Sequence, residues 1–191
     1  MVGAKLIQIS TDCVFSGATG FYSEQDKPDP KDSYGQTKLL GEVGAPHFTM
    51  RTSILGHGLE NFGSLIDWFL SQKQTTKGFT KAIYSGFPTI EIAQIIAEYI
   101  IPNEKLTGLY HISSDPISKY ELLKMVAKTY HKKIKIEADE TVAIDRSLNS
   151  DLFRKATGYQ PPKWEDLLKK MYKYYKTNPN FLSYKKEQGE K

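Results

Sequence analysis

Cysteine is almost missing from this 191-residue chain: Cys13 is the single one, so no internal disulfide can form. That excludes a disulfide-stapled scaffold and fits a reducing, cytoplasmic compartment. Long apolar runs are missing too. No stretch approaches the ~18 residues of a membrane span, and Gln8 interrupts the opening MVGAKLIQIS before a signal-like apolar region develops. Charge of one sign is scarce: the formal net charge is +4, and from Lys163 onward eight lysines face four acids, which accounts for the whole excess. A lysine-rich end of this kind reads as a solvated face, so neither nucleic acid nor a membrane is expected as a partner. There is no internal repeat. The four histidines, at 47, 57, 111 and 131, share no ligand spacing, and with a lone cysteine no metal site is expected.

What is present suffices for a globular core: 39% hydrophobic, 12% aromatic and 25% charged residues, in a length that fits one domain, or one and a fragment of a second. The hydrophobic pattern alternates strand and helix. Residues 5–10 (KLIQIS) read as a strand with no element before it to pair with. Gly17, Gly20, Pro28 and Pro30 mark a loop, and 33–42 a serine-capped helix. A strand over 47–55, a turn and a helix over 62–72 follow. Beyond a polar Thr/Lys stretch come a helix over 90–101, a strand over 108–113, a helix over 119–131, a short strand over 134–138, and helices over 151–157 and 164–175.

The glycine cluster Gly56-His57-Gly58-Leu59-Glu60-Asn61-Phe62-Gly63 lies between strand and helix as a dinucleotide loop does, but its pattern is wrong. The fingerprint G-x-G-x-x-G requires glycine where Asn61 stands, and an acid about 20 residues on, whereas no acid occurs between Trp68 and Ile90. It reads as an ordinary strand-to-helix turn. Cys13 follows Thr11-Asp12 at a strand end, without a sequence-adjacent base to activate it, and reads as a small buried residue.

The strongest signal is Tyr34-Gly35-Gln36-Thr37-Lys38 together with Ser10-Thr11-Asp12. Positions i and i+4 share a helical face, so the Lys38 ammonium can approach the Tyr34 phenol and lower a pKa that starts near about 10. A hydroxyl from Thr11, delivered from a strand end, can bond the same carbonyl oxygen as the phenol and steady a developing alkoxide. Taken alone, Y-x-x-x-K reads sooner as a surface helix pair.

The run Ser10-Thr11-Asp12-Cys13-Val14-Phe15-Ser16-Gly17, followed by Tyr22, Glu24, Asp26, Pro28 and YGQTKLLGE, resembles the extended short-chain dehydrogenase/reductase family, and within it the dTDP-4-dehydrorhamnose reductases. Met50-Arg51-Thr52-Ser53, Gly86-Phe87-Pro88-Thr89, Gly108-Leu109-Tyr110-His111 and Asp145 to Ser150 match later landmarks, so the likeness runs from Lys5 to about Tyr175. The resemblance implies an α/β fold: a partial Rossmann-like remnant of a doubly wound parallel sheet over 1–75, a smaller α/β substrate-binding lobe over 76–175 and a flexible tail over 176–191.

It further implies NAD(P)H-dependent reduction of a 4-keto nucleotide sugar, with Thr11, Tyr34 and Lys38 catalytic and Tyr34 the proton donor. Ser10, Thr11, Tyr34, Lys38, Arg51, Thr52 and Ser53 are then expected along NADP or NAD, and Cys13, Phe15, Asn61, Phe62, Pro88, Thr89, Arg146 and Asn149 around the sugar nucleotide. Two departures stand out. Family members begin with a strand, a glycine-rich loop and further βα units that do not precede Lys5, so the chain is expected to be a fragment without the pyrophosphate half of the cofactor site; a complementing N-terminal segment or a homo-oligomer is the expected protein partner. Cys13 stands where these reductases commonly carry tyrosine. Two other readings stay open: a non-catalytic sugar-nucleotide-binding or regulatory subunit, and a nucleotide-sugar epimerase or dehydratase.

Overall fold

The computed structural model describes residues 3–58 and 63–179. Its first sheet has three parallel strands in the order β1-β2-β6: β1 (Ile7–Thr11), β2 (Phe48–Thr52) and β6 (Gly108–His111). A parallel pair needs a crossover, and α1 (Ser33–Leu40) lies in the connection between β1 and β2. β2 is central and buried along its whole length, which suits its apolar Phe48 and Met50 but not its polar Thr49, Thr52 and Arg51. The chain satisfies all three inside the protein: Thr49 Oγ1 bonds both N and O of Val43, Arg51 forks onto the Glu42 carboxylate, and Thr52 Oγ1 donates to the Ser53 carbonyl at 3.5 Å.

Two short parallel strands, β3 (Ile54–Leu55) and β5 (Phe87–Pro88), make a second pairing. The third sheet runs β7-β4-β8, with β4 (Thr75–Tyr84) parallel to β8 (Lys135–Asp145) and antiparallel to β7 (Ile117–Ser118). Here the structure corrects the sequence reading. The polar Thr/Lys stretch is a ten-residue strand, and the short strand expected over 134–138 continues to Asp145 through an irregularity opposite Phe79–Lys81. The strand expected over 47–55 divides at Ser53 into β2 and β3.

Helices α2 (Leu65–Ser71), α3 (Thr89–Ile95), α4 (Lys119–Thr129), α5 (Asp151–Thr157) and α6 (Trp164–Thr177) complete the fold, and a π-helical turn over Ile96–Ile100 extends α3. One apolar core takes Phe48 and Met50 of β2, Ile66 and Phe69 of α2, Ile92 and Ile95 of α3, Leu122 and Val126 of α4, Phe153 of α5, and Trp164, Leu167 and Leu168 of α6. This core, like β6, crosses residue 75: the stretch beyond it supplies both a strand to the first sheet and helices packed with β2. Among the described residues no helix is long and apolar enough to cross a membrane, and no group of three His, Cys, Asp or Glu side chains converges as a metal site.

Candidate functional site

The site forms where β1 ends. After Thr11 the chain turns into a single 3-10 turn, Asp12–Val14, for which Thr11 is the cap: its Oγ1 accepts from Cys13 N at 3.1 Å. Helix α1 approaches this turn head-on, with Asp32 as its own cap accepting from Gly35 N at 2.7 Å. The approach is so close that a Cβ on Gly35 would lie 2.3 Å from the Cys13 carbonyl oxygen, which explains the glycine beside Tyr34. Tyr34 itself stays 56% exposed, and its phenol makes no hydrogen bond among the described residues. One turn on, Lys38 Nζ donates to the Ile9 carbonyl of β1. Among the described residues the ammonium makes no hydrogen bond to the Tyr34 phenol, and the bond to β1 uses only one of its N–H donors.

A second arm comes from the segment after β8. Loop 17–22 is stitched to it by Asp145 N to Gly17 O, Tyr22 N to Ser147 O, and Asn149 N to Tyr22 O, at 2.7–2.9 Å. Gly20 has φ +71°, and a Cβ there would collide with the Asp145 carboxylate at 2.2 Å. This stitching carries Arg146 to the strand end, where its Nη1 lies 3.3 Å from Cys13 Sγ and its Nε is buried without a partner. Thr11, Cys13 and Arg146, with the α1 residues Tyr34 and Lys38, therefore lie at or beside the C-terminal end of β1, the end at which open parallel sheets bind ligands.

The other expected site residues are placed differently. Ser10 Oγ donates to Glu42 Oε1 at 2.7 Å, and Arg51 Nε and Nη2 each lie 2.8 Å from the same carboxylate, so Arg51 is spent in a buried fork. Phe15 is fully covered, stacked on Tyr22 at 4.2 Å with the Arg51 guanidinium 5.2 Å from its ring centre; it packs under the site and offers no open face. Thr52 is buried opposite Thr11 in the β1–β2 register, and the Ser53 carbonyl accepts from Phe87 N at 2.9 Å. Pro88 is buried in β5, while Thr89 is exposed at the start of α3 with Oγ1 3.2 Å from the Leu55 carbonyl. Asn149 Oδ1 accepts from Asp151 N at 2.8 Å, a local turn at the entry to α5. Asn61 and Phe62 lie outside the described residues.

Sequence reasoning passed over the polar groups beneath the site. His111 Nδ1 lies 2.9 Å from the Tyr22 carbonyl and so donates to it, leaving Nε2 as the acceptor for Arg51 Nη1 at 3.3 Å. Burial, with Arg51 alongside, holds His111 neutral and pulls its pKa down to about 4. Glu24 accepts from His111 N at 2.7 Å, and burial raises its carboxyl above the usual range. Asp12 is the most telling omission. Burial raises its pKa, against hydrogen bonds from Thr11, Cys13 and Ser53 and the charge of Arg146, and the hydroxyl of Tyr84, within its field, is buried without a partner. The sequence signal for Asp12 and His111 is their place in the strand-end runs Ser10-Thr11-Asp12 and Leu109-Tyr110-His111.

Thr11 at the strand end, Tyr34 and Lys38 on the helix packed against it, and Arg146 beside Cys13 thus lie on neighbouring elements. The spore coat polysaccharide biosynthesis protein SpsK of Bacillus subtilis is 32% identical over 126 residues, covering 62% of this chain and 44% of that relative. The methionine adenosyltransferase 2 subunit beta of Xenopus tropicalis is 29% identical over 152 residues, covering 68% of this chain and 43% of its own length. A crystal structure of dTDP-4-dehydrorhamnose reductase from Bacillus anthracis, in complex with NADP, superposes with a TM-score of 0.77 at 25% identity over 90% of this chain and 66% of that one. The chain thus spans less than half the length of the curated relatives it matches. The model of the RmlD substrate binding domain matches residues 1–177, the stretch that carries every element from β1 to α6, and this chain belongs to that family.

Proposed function

We propose that this chain carries the carbonyl-protonating and sugar-binding part of an NAD(P)H-dependent reductase acting on the 4-keto group of a dTDP-linked deoxyhexulose. The observation that carries this reading is the exposed, unbonded Tyr34 phenol on a helix pressed against the end of β1, with Thr11 on that strand and Lys38 one helical turn away. Residues up to about 75 would face the cofactor, and those from 76 to 175 would complete the sugar side through Arg146 and its neighbours.

The residues fit the nicotinamide end of such a cofactor: Lys38 has donors left over for ribose hydroxyls, and Tyr34 is open to them. When bound, the nicotinamide supplies hydride to the carbonyl carbon. The protein does the rest. Thr11 and Tyr34 direct hydrogen bonds at the keto oxygen, the Tyr34 hydroxyl gives up its proton as the oxygen gains charge, and Lys38 holds a positive charge beside the phenolate that results. Arg146, with a buried Nε in need of a partner, offers its guanidinium to the nucleotide sugar.

Tyr34→Phe keeps the ring and removes the proton donor. Steady-state turnover of a dTDP-4-keto-6-deoxyhexulose with NADPH should fall by about 10²–10⁴-fold, the usual worth of a general acid, while nucleotide-sugar affinity holds. Turnover at the parent rate would remove Tyr34 from the mechanism. The similarity to proteins named as a methionine adenosyltransferase subunit favours a second reading, a sugar-nucleotide-binding regulatory subunit; that reading requires binding of the nucleotide sugar with no NADPH oxidation at any pH.

A further inference from the structure

The Thr11 hydroxyl has one proton and two lone pairs, and both of its neighbours are fixed. Cys13 N donates to Oγ1 from 3.1 Å, which occupies one lone pair. Asp12 Oδ1 lies 3.2 Å away, a distance that serves a bond in either direction. A carboxylate only accepts, so beside an ionised Asp12 the Thr11 proton is committed to Oδ1 and none is left for a ligand oxygen, which is also an acceptor. A carboxylic acid reverses the bond. Its O–H fills the second lone pair of Thr11, and the Thr11 proton is then free to turn outward.

We propose that Asp12 is a positioning residue for carbonyl reduction: as the carboxylic acid it donates to Thr11 Oγ1 and releases the Thr11 proton for the sugar keto oxygen, and as the carboxylate it withholds it. No proton changes owner between the two residues; one hydrogen bond reverses. The inference rests on the reading of Thr11 as a donor to the substrate carbonyl given under Proposed function. The surroundings support it. Asp12 is 7% exposed, and burial favours its neutral form. The titratable and charged groups that face it are Cys13 on the same turn, with Sγ 3.6 Å from Oδ1, Tyr84 of β4, and Arg146 beyond β8, whose positive charge opposes protonation. Asp12 opens the turn that ends β1, and its carboxyl is buried there.

A carboxyl-detected carbon NMR titration of the full chain, free of substrate and cofactor, tests the hydrogen-bond reversal directly. The Asp12 carboxyl should titrate above the ordinary aspartate range, because burial disfavours its charged form, and the Thr11 Cβ resonance should move with the same midpoint as its hydroxyl turns. In Asp12→Asn, whose amide does not titrate, the Thr11 transition should vanish. An Asp12 carboxyl ionised in the ordinary range, or a Thr11 resonance that stays flat while Asp12 titrates, overturns the proposal whatever the protein turns over. In kinetics, kcat/KM for the keto sugar should fall about tenfold per pH unit above the Asp12 midpoint, and Asp12→Asn should lack that limb. Persistence of the limb in Asp12→Asn also overturns it. Loss of the reductase reading itself is seen separately, in the Tyr34→Phe comparison.

Discussion

At position 35 the absence of a side chain lets α1 meet the turn after β1. A Cβ there would lie 2.3 Å from the Cys13 carbonyl oxygen and 2.9 Å from Pro30 Cβ, contacts that only backbone movement could relieve. Gly35→Ala should therefore cost about 1–3 kcal/mol, and for a chain of this size each kcal/mol lowers Tm by roughly 2–4 °C. Because α1 must back away, the Tyr34 phenol should retreat with it, so turnover should fall as well. Calorimetry on the variant checks the first effect, and an unchanged Tm would mean that the helix does not sit as closely as described. The Tyr34–Lys38 spacing and the strand-end Thr11 could be read from residue order, since helical periodicity alone puts i and i+4 on one face. The acceptor that takes Lys38, the Ile9 carbonyl, could not, because it belongs to an element 29 residues away.

At the scale of elements, His111 at the end of β6 joins three segments: it donates to Tyr22 O, accepts from Arg51 of β2 and receives Glu24 at its amide. Folded, its pKa is about 4, against about 6.5 when unfolded. The folded state thus binds the proton less readily, and the contribution of His111 is fully present above about pH 6.5 and is lost as pH falls towards 4. About 2.5 pH units correspond to roughly 3 kcal/mol. Asp12 and Glu24, with raised carboxyl pKa values, act in the opposite sense, so the test is a difference. The gap in unfolding free energy between the wild type and His111→Gln should narrow from pH 7 to pH 4; a constant gap would mean that His111 is not held neutral. Strand β4 was illegible for a related reason. Thr75 to Tyr84 is only partly buried, its alternation is weak, and it is held by β8, some sixty residues further on, so its state is set by pairing and not by local propensity.

At the scale of the whole molecule, β2 and the helices of the later stretch share one core. Phe48 lies before residue 75 and Leu167 after it, both fully buried in the same cluster. Phe48→Ala should cost about 3–5 kcal/mol and Leu167→Ala about 2–5 kcal/mol. Each should shift one common unfolding transition, recorded by circular dichroism and tryptophan fluorescence. Two separable transitions, each moved by one variant alone, would mean two independent cores. The sequence by itself determined the α/β alternation, the six helices to within a few residues at most ends, and the places of Thr11 at a strand end and of Tyr34 and Lys38 one turn apart on a helix, because periodicity, caps and short motifs are local properties. Only the tertiary structure decided that Arg51 is consumed by Glu42, that Phe15 is packing, that Arg146 reaches Cys13 across 133 residues, and that Asp12 is buried beneath the site. The role of a polar or charged side chain follows from which groups surround it once water is excluded, and those groups are assembled from distant parts of the chain.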